Sequence, residues 1–365
     1  MKFLLTSDLH LHPWPAFSSI TAEGINSRLK LTCERVRDMS NMAADEGCEA
    51  VLFAGDLFHV KRIEAETIDV AVRAFAGTRI PWFGVPGNHD QATHGPDGRH
   101  SARAISAIQW LDAAGGRTAL FKRGAESLTV YGIPYVRDRE ELKREIDAAP
   151  KCDVLLMHAG FAGAFMGSDY IADLGDCADP EWVYGKKFKL VVTGHFHQGQ
   201  VIMKAETKDL GYDIQRPSND GQYTSYREGE TIIVPGAPES HNWGDKDSVR
   251  GCWILDTAAR KATFKKLSSP EFVEVRVMSD AERAKGNYVR VPECCEAEPG
   301  LMKRLQQEAS GVTVEFTPQV SAKPMRGYEV GAGDRPEDVL QKYVTAADTK
   351  LDRKTLMEIG RRFIS

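Results

Sequence analysis

The sequence has no long apolar run, and no stretch approaches the roughly 18 uncharged apolar residues that a membrane-spanning helix requires. We expect no signal peptide, because Asp8 and His10 follow the first apolar residues almost at once. The seven cysteines are odd in number and scattered, so we expect neither a disulfide framework nor a paired-cysteine metal site. These absences predict a soluble cytoplasmic protein with reduced thiols and no membrane partner.

The sequence also lacks an excess of basic charge, since it has 47 Lys and Arg residues against 52 Asp and Glu residues and a formal charge of -5. This balance argues mildly against non-specific binding to nucleic acid, in which basic side chains neutralise phosphates. Part of the acidity would, however, belong to metal ligands, and bound divalent cations invert the local field and attract phosphate. The overall charge therefore excludes little.

The length of 365 residues and the 42% of hydrophobic residues predict one large core and a smaller one. In the first two-thirds of the chain, short apolar runs alternate with amphipathic segments, as in an α/β fold. A helical spacing of apolar residues over 29–44 suits a crossover helix. Buried strands are predicted at 3–5, 50–53, 82–85, 154–157 and 190–192.

The pattern changes after the segment 268–270, which we interpret as a linker that closes a first domain of residues 1–268. Strand-like segments at 272–277, 288–291 and 312–316, with a helix at 301–308, predict a small α+β domain over 271–333. Two amphipathic helices are predicted in 336–365, and they either pack on their own domain or bind a partner. The polar segment 205–230 is interpreted as a hairpin or a mobile loop.

Potential metal ligands follow the first two predicted strands. Asp8 and His10 are two residues apart on an extended segment, so their side chains share a face and can bind one ion. Asp56 follows Gly55 at the end of the second strand, and its carboxylate has one oxygen for each of two ions. The alternative is that Asp56 caps the N-terminus of a helix.

The later strands end in the same way. Asn88 and His89 follow the third strand and supply an amide oxygen and an imidazole that can donate a proton, although a simple turn is the alternative. His158 directly follows the fourth strand, where a lone histidine is usually structural. His195 and His197 follow a glycine and share one face, which is a good signal of a metal site.

These groups are expected to meet, because ligands of open α/β sheets bind outside the carboxyl ends of the strands. Six of the ten histidines lie in the five motifs, an arrangement that chance does not explain. The other four histidines are assigned no metal role: His12, His94, His100 and His241.

The ordered motifs resemble those of the calcineurin-like metallophosphoesterase superfamily, from residue 1 to about residue 255. The resemblance implies a two-layer β-sandwich flanked by helices, with two metal ions beneath the substrate phosphate. It implies that Asp56 bridges the ions and that His89 stabilises the scissile phosphate and protonates the departing oxygen. The implied ligands of the first ion are Asp8, His10, Asp56 and His197, and those of the second are Asp56, Asn88, His158 and His195.

Within the superfamily, the segment 55–59 is similar to that of the SbcD-type DNA nuclease subunit of bacteria and phages, whose partner is an SMC-like ATPase with a long coiled coil. That resemblance implies a role for His59 in exonuclease chemistry. It also implies a DNA-contacting cap at 271–333, an ATPase-binding helical pair at 336–365, and a homodimer formed through helices near 63–112. Protein Ser/Thr phosphatases have an Asp-Arg pair after the Asp56 motif, and this sequence lacks it.

Two functions remain open. The first is a two-metal-dependent DNA nuclease, exo- or endonucleolytic, that acts in recombination and repair with an ATPase subunit. The second is a phosphatase or phosphodiesterase acting on nucleotides or other small phosphoesters, with the same metal site but no use for a cap. A scaffold with a vestigial site is disfavoured by the complete ligand set. The expected cofactors are two divalent ions, with Mn²⁺ preferred and Zn²⁺ or Fe as alternatives.

Overall fold

A computed structural model describes residues 1–91, 99–166, 172, 177–185, 187–205, 211–246, 248–275, 277–292, 300–308, 314–317, 336–346 and 352–361. His94 lies outside the described residues, as do parts of the predicted segments 205–230, 271–333 and 336–365. The described helices are α1 (Ser27–Asp45), α2 (Ala65–Ala76), α3 (Arg139–Ala148), α4 (Leu301–Glu308), α5 (Pro336–Ala346) and α6 (Arg353–Arg361). None of them is long and apolar enough to cross a membrane.

The described strands form three sheets. The first half of the chain contributes β1 (Lys2–Thr6), β2 (Ala50–Phe53), β3 (Trp82–Gly84), β4 (Ile108–Trp110), β5 (Thr118–Arg123), β6 (Glu126–Ile133), β7 (Cys152–His158) and β8 (Phe188–Gly194). The second half contributes β9 (Gln200–Lys204), β10 (Tyr212–Gln215), β11 (Tyr223–Ser225), β12 (Thr231–Val234), β13 (Gly251–Asp256), β14 (Lys261–Lys266), β15 (Phe272–Glu274), β16 (Tyr288–Pro292) and β17 (Val314–Thr317).

Two seven-stranded sheets form the core, in the orders β11-β14-β13-β1-β2-β3-β4 and β10-β9-β12-β8-β7-β6-β5. The strands β1 to β4 are mutually parallel in the first sheet, and β6, β7 and β8 are parallel in the second. All five predicted buried runs coincide with these parallel strands, except that Val85 lies one residue beyond β3, and the predicted crossover helix is α1. The α/β fold class with two sheets and flanking helices is therefore confirmed.

The alternating directions of the side chains along the central strands produce the apolar layers on the two faces of each sheet. In β1, Phe3 and Leu5 lie in the core between the two sheets, whereas Leu4 packs in the cluster that also contains apolar residues of α1. Successive side chains of a strand point to opposite faces, so each central strand needs apolar residues on both. Each such buried side chain contributes about 1.5–3 kcal/mol relative to exposure. Continuous apolar runs are the consequence, and they made these strands predictable.

The segment 205–230 joins the two sheets. Its first described part contains β10, which pairs antiparallel with β9 and makes the hairpin alternative correct there. The chain then reaches the other sheet, where β11 pairs with β14 at the edge. The sequence did not predict β11, because its three residues have no apolar alternation long enough to mark a strand.

The small third sheet consists of the parallel strands β15, β16 and β17, and α4 has the predicted bounds. It contacts the core through an aromatic cluster in which Phe272 and Tyr288 pack against Phe17, with Trp243 alongside. Near the end of the chain α5 and α6 pack on each other. A side chain at Gly360 would clash with Leu340, so the glycine allows this close approach.

Candidate active site

The structure brings all seven predicted ligand side chains together at one edge of the two sheets. Asp8, Asp56 and Asn88 follow β1, β2 and β3 of the first sheet, while His158 ends β7 and His195 follows β8 of the second. The carboxyl ends of parallel strands meet at one edge, and the two sheets face each other there. The order of strands therefore explains why His195 and Asp8, which are 187 positions apart, are neighbours.

The first group of ligands is centred on two facing imidazoles. His10 Nε2 lies 3.1 Å from His197 Nε2, and His10 Nε2 is 3.7 Å from Asp56 Oδ2. His197 Nδ1 donates to Asp245 Oδ1 at 3.1 Å, which leaves the Nε2 lone pair free to bind a cation. Asp8, His10 and His197 each present one ligand atom within 4.8 Å of the others. This is a suitable donor set for one divalent ion.

The second group converges on the amide oxygen of Asn88. His158 Nε2 and His195 Nδ1 each lie 3.0 Å from Asn88 Oδ1, and His158 Nε2 is 3.4 Å from Asp56 Oδ2. His158 Nδ1 donates to the carbonyl oxygen of Ala54 at 2.7 Å, so its Nε2 is the nitrogen available to a cation. Asp8, Asp56 and His158 each present one ligand atom within 4.8 Å of the others. Asn88 and His195 add an amide oxygen and a second imidazole beside them, and this donor set suits a second ion.

Asp56 connects the two groups. Its Oδ2 is the atom near both His10 and His158, while its Oδ1 accepts a hydrogen bond from the backbone N–H of His89 at 2.9 Å. The helix-cap alternative is wrong, because the next described helix, α2, begins at Ala65. Gly87 permits this approach, since a Cβ atom there would clash with Asp56 Oδ1.

The backbone is strained at four of these ligands. Asp8, His10, Asp56 and His195 have positive φ angles of 53°, 46°, 58° and 100°. Each such conformation in a residue other than glycine costs of order 1–3 kcal/mol and persists only where the surrounding structure enforces it. Strain concentrated on these residues marks a site whose side-chain directions matter more than local backbone energy.

Burial and neighbouring charges shift the pKa values of the candidate ligands in both directions. Burial opposes ionisation of Asp56, yet His158 holds the pKa of its carboxyl at about 2. Burial, together with the neighbouring His158, lowers the pKa of His195 to about 3. Although burial opposes its charge, the Asp56 and Asp8 carboxylates raise the pKa of His158 to about 9. A bound cation would replace that proton, because a ligating imidazole must be neutral.

The two predicted catalytic histidines lie side by side on the solvent side of the first group. His89 Nδ1 donates to the backbone carbonyl of His59 at 2.6 Å, and the two rings stack with centroids 5.1 Å apart. The His89 ring centroid is 4.8 Å from that of His10. Burial and the adjacent His89 lower the pKa of His59 to about 4. Both side chains are half-buried.

Sequence reasoning missed the residues that support the first group. His241, which was assigned no metal role, is buried with Nε2 3.0 Å from the carbonyl oxygen of Asp8 and its ring 4.9 Å from that of His10. Asp245 binds His197 and pairs with Arg250 at 3.1 Å. His241 and Asp245 both lie in the loop that follows β12. The expectation that functional side chains follow the ends of strands would have indicated them if it had also been applied to β12.

Other polar residues near the site have structural roles. Asp90 accepts hydrogen bonds from the backbone N–H groups of Gly87, Leu57 and Phe58, and these bonds fix the loops carrying Asn88 and Asp56. Burial raises the pKa of Asp90 to about 7. His100 is buried against Asp112 at 2.8 Å.

Comparison with known proteins agrees with this geometry. The model of the calcineurin-like phosphoesterase family matches residues 1–199, more than half of the chain, so the protein belongs to that family. It is a metal-dependent phosphoesterase, and the family uses divalent metal ions. No curated protein sequence matches the chain.

Several solved structures resemble the chain. A metallophosphoesterase from Sphaerobacter thermophilus is 17% identical, with a TM-score of 0.34 over 86% of this chain and 100% of that one. The protein TT1561 of Thermus thermophilus is 15% identical, with a TM-score of 0.40 over 73% and 98%. Purple acid phosphatase PPD1 from yellow lupin (Lupinus luteus) is 13% identical, with a TM-score of 0.42 over 73% and 51%.

Proposed function

We propose that the protein is a DNA nuclease that hydrolyses phosphodiester bonds in recombination and repair, together with an SMC-like coiled-coil ATPase. The observation that carries the proposal is the pair of His59 and His89 beside the candidate metal ligands. Cleavage of a DNA phosphodiester expels a sugar alkoxide, which is a poor leaving group unless it receives a proton. An imidazole beside the ligands can provide that proton.

The chain's own residues define the chemistry. When bound, the two ions would activate a water molecule and neutralise charge on the phosphate, and the ligands named above would hold them. The hydrogen bond from His89 Nδ1 to the His59 carbonyl fixes the orientation of the His89 ring. Nε2 is thus the nitrogen of His89 left to donate to the departing oxygen. The stacked His59 ring limits rotation of His89 and covers its face.

The small third sheet, which belongs to the proposed cap, adds a surface beside the site. Arg28 of α1 is buried, donates to the carbonyl oxygen of His241 at 2.9 Å, and lies 4.9 Å from the ring centroid of Tyr288 in the cap. One side chain therefore joins the cap to the loop that supports the first ligand group. A cap fixed there supports binding of a long substrate such as DNA more than of a small phosphoester.

The proposal is tested by supplying Mn²⁺ to the purified protein and digesting end-labelled duplex, hairpin and single-stranded DNA beside a panel of nucleotides. We expect manganese-dependent shortening of at least one DNA substrate and little hydrolysis of free nucleotides. Hydrolysis confined to the nucleotide panel would contradict the nuclease proposal and favour a small-molecule phosphodiesterase. Mn²⁺ is the expected ion because carboxylate, amide and imidazole ligands suit it, and Zn²⁺ and Fe serve as comparison metals.

For the ATPase partner, we propose that the helical pair formed by α5 and α6 is the binding element. Deleting residues 336–365 is expected to leave hydrolysis of bis(p-nitrophenyl) phosphate within about twofold, because the site residues lie elsewhere. The deletion should abolish co-purification with a co-expressed SMC-like ATPase. Retained co-purification would contradict the partner role, and lost hydrolysis would assign these helices to the core fold.

A homodimer is also part of the proposal, with α2 at the contact. Val72 on this helix is 42% exposed, so an apolar side chain is available there. A second copy of the same helix would cover it in a symmetric contact. Light scattering of the purified protein measures the mass directly.

A further inference from the structure

A pocket of about 350 Å³ opens beside the second group of ligands. Its walls include Tyr135, Val136, Arg137 and Leu142, and His195 forms part of its lining. The volume lies at the lower end of the range for pockets that hold small organic groups, which is about 300–1,000 Å³. The pocket can therefore hold one nucleoside next to a phosphate bound at the candidate metal ligands.

Tyr135 gives this pocket an aromatic wall in a defined position. Its ring stacks on that of His195 with centroids 5.9 Å apart and an interplanar angle of 29°. Its backbone is held at both ends, because Tyr135 N–H donates to Pro86 at 3.0 Å and its carbonyl accepts from Gln91 Nε2 at 2.8 Å. Pro86 lies two residues before Asn88, so this hydrogen bond holds Tyr135 against the segment that carries Asn88.

Arg137 supplies a positive charge at the same pocket. Its side chain is exposed, and within the part of the chain that the structure describes it has no ion-pair or hydrogen-bond partner. The neighbouring Arg139 differs, because its Nε donates to the carbonyl of Cys177 and its guanidinium lies 4.5 Å from the Trp182 ring centroid. Of the two arginines, Arg139 is held by the fold and Arg137 remains available to a ligand.

We propose that this pocket is the subsite for the nucleoside that flanks the scissile phosphate, with Tyr135 against the base or sugar and Arg137 on the next phosphate of the strand. The inference rests on the proposed nuclease function and adds where the DNA strand lies relative to the candidate metal ligands. An aromatic ring stacks on any base, and an arginine pairs with any phosphate, so the subsite accepts a strand without reading its sequence. Arg137 is here a substrate-positioning residue.

The test compares wild type, Arg137→Ala and Arg137→Lys on a DNA oligonucleotide over a range of salt concentrations. Loss of one phosphate contact is expected to raise KM by about 5–10-fold for Arg137→Ala at moderate salt. It should also reduce the slope of log KM against log salt by about 0.7 to 0.9, the value for one neutralised phosphate. Arg137→Lys keeps the charge and should restore the slope. The matched control Arg144→Ala, an exposed arginine of α3, should match wild type in both.

A second substrate locates the contact on the DNA. An oligonucleotide with one neutral methylphosphonate next to the scissile phosphate should lose binding to wild type and lose none further with Arg137→Ala. If wild type cleaves DNA but Arg137→Ala has the wild-type salt slope, the subsite is wrong and the nuclease proposal stands. If wild type cleaves no DNA in the digestion assay, the nuclease function itself fails, and the two failures are thereby distinguished.

Discussion

Replacing Asp56 by asparagine is expected to remove both metal ions and to lower kcat/KM for any phosphodiester by at least about 10³-fold. Asp56 Oδ2 lies near both ligand groups, 3.7 Å from His10 Nε2 and 3.4 Å from His158 Nε2. An amide oxygen in its place carries no negative charge, so neither ion keeps its shared anionic ligand. Two-metal catalysis contributes several kcal/mol, and each 1.36 kcal/mol is a factor of ten in rate.

Metal content separates this effect from misfolding. Elemental analysis after gel filtration should find two ions per chain in wild type and fewer than one in the Asp56→Asn variant, with the far-ultraviolet circular dichroism unchanged. The matched control is Asp45→Asn, because Asp45 is exposed and pairs with Arg79 on the surface at 2.8 Å. Retention of both ions by the Asp56 variant would show that Asp56 is not the shared ligand.

Most of the site residues that could be predicted from the sequence lie at the ends of strands. Asp8, Asp56, Asn88, His158 and His195 were identifiable because each closely follows an apolar run, and parallel strands bring such positions to one edge. The runs themselves are visible because these strands are covered on both faces. Local pattern and global topology agree at these positions, so the clustering of these side chains could be predicted from the sequence.

The sequence did not predict the supporting residues, because their roles depend on contacts between positions that are far apart in the chain. His241 and Asp245 come from a loop after β12 and reach Asp8 and His197, which lie 233 and 48 positions away. No periodicity marks such a loop residue, and a carboxylate near a histidine in space need not be near it in sequence. The positive φ angles of Asp8 and Asp56 were equally invisible, since left-handed backbone is expected at glycine rather than aspartate.

The edge strands also could not be predicted from the local sequence alone. Short strands such as β10 and β11 contain polar residues and are stabilised by pairing with a neighbour rather than by burial of their own side chains. Their existence depends on β9 and β14 being in place, which the local sequence does not encode. The hairpin at β10 was one of two open alternatives, and only the tertiary structure distinguishes them.

The substitution His89→Gln should slow the cleavage of substrates with poor leaving groups more than the cleavage of substrates with good ones. Cleavage of DNA is expected to fall by about 10²–10⁴-fold, the usual contribution of a general acid, because the sugar alkoxide must be protonated as it departs. Bis(p-nitrophenyl) phosphate should lose much less, since nitrophenolate is a stable anion that leaves without a proton. Glutamine keeps a donor for the His59 carbonyl, so the loop carrying Asn88 is expected to retain its position.

The measurement is kcat for both substrates with saturating Mn²⁺, together with the metal content of each variant. His12→Gln is the neighbouring control: His12 is a half-buried histidine that belongs to neither group of ligands, and its ring centroid is 5.2 Å from that of His59. It therefore alters the surroundings of the His59 and His89 pair without removing the His89 donor. A loss of equal size on both substrates would mean that His89 stabilises charge on the phosphate instead of protonating the leaving oxygen. Full activity on DNA would remove His89 from the chemistry, and with it the observation on which the nuclease proposal rests.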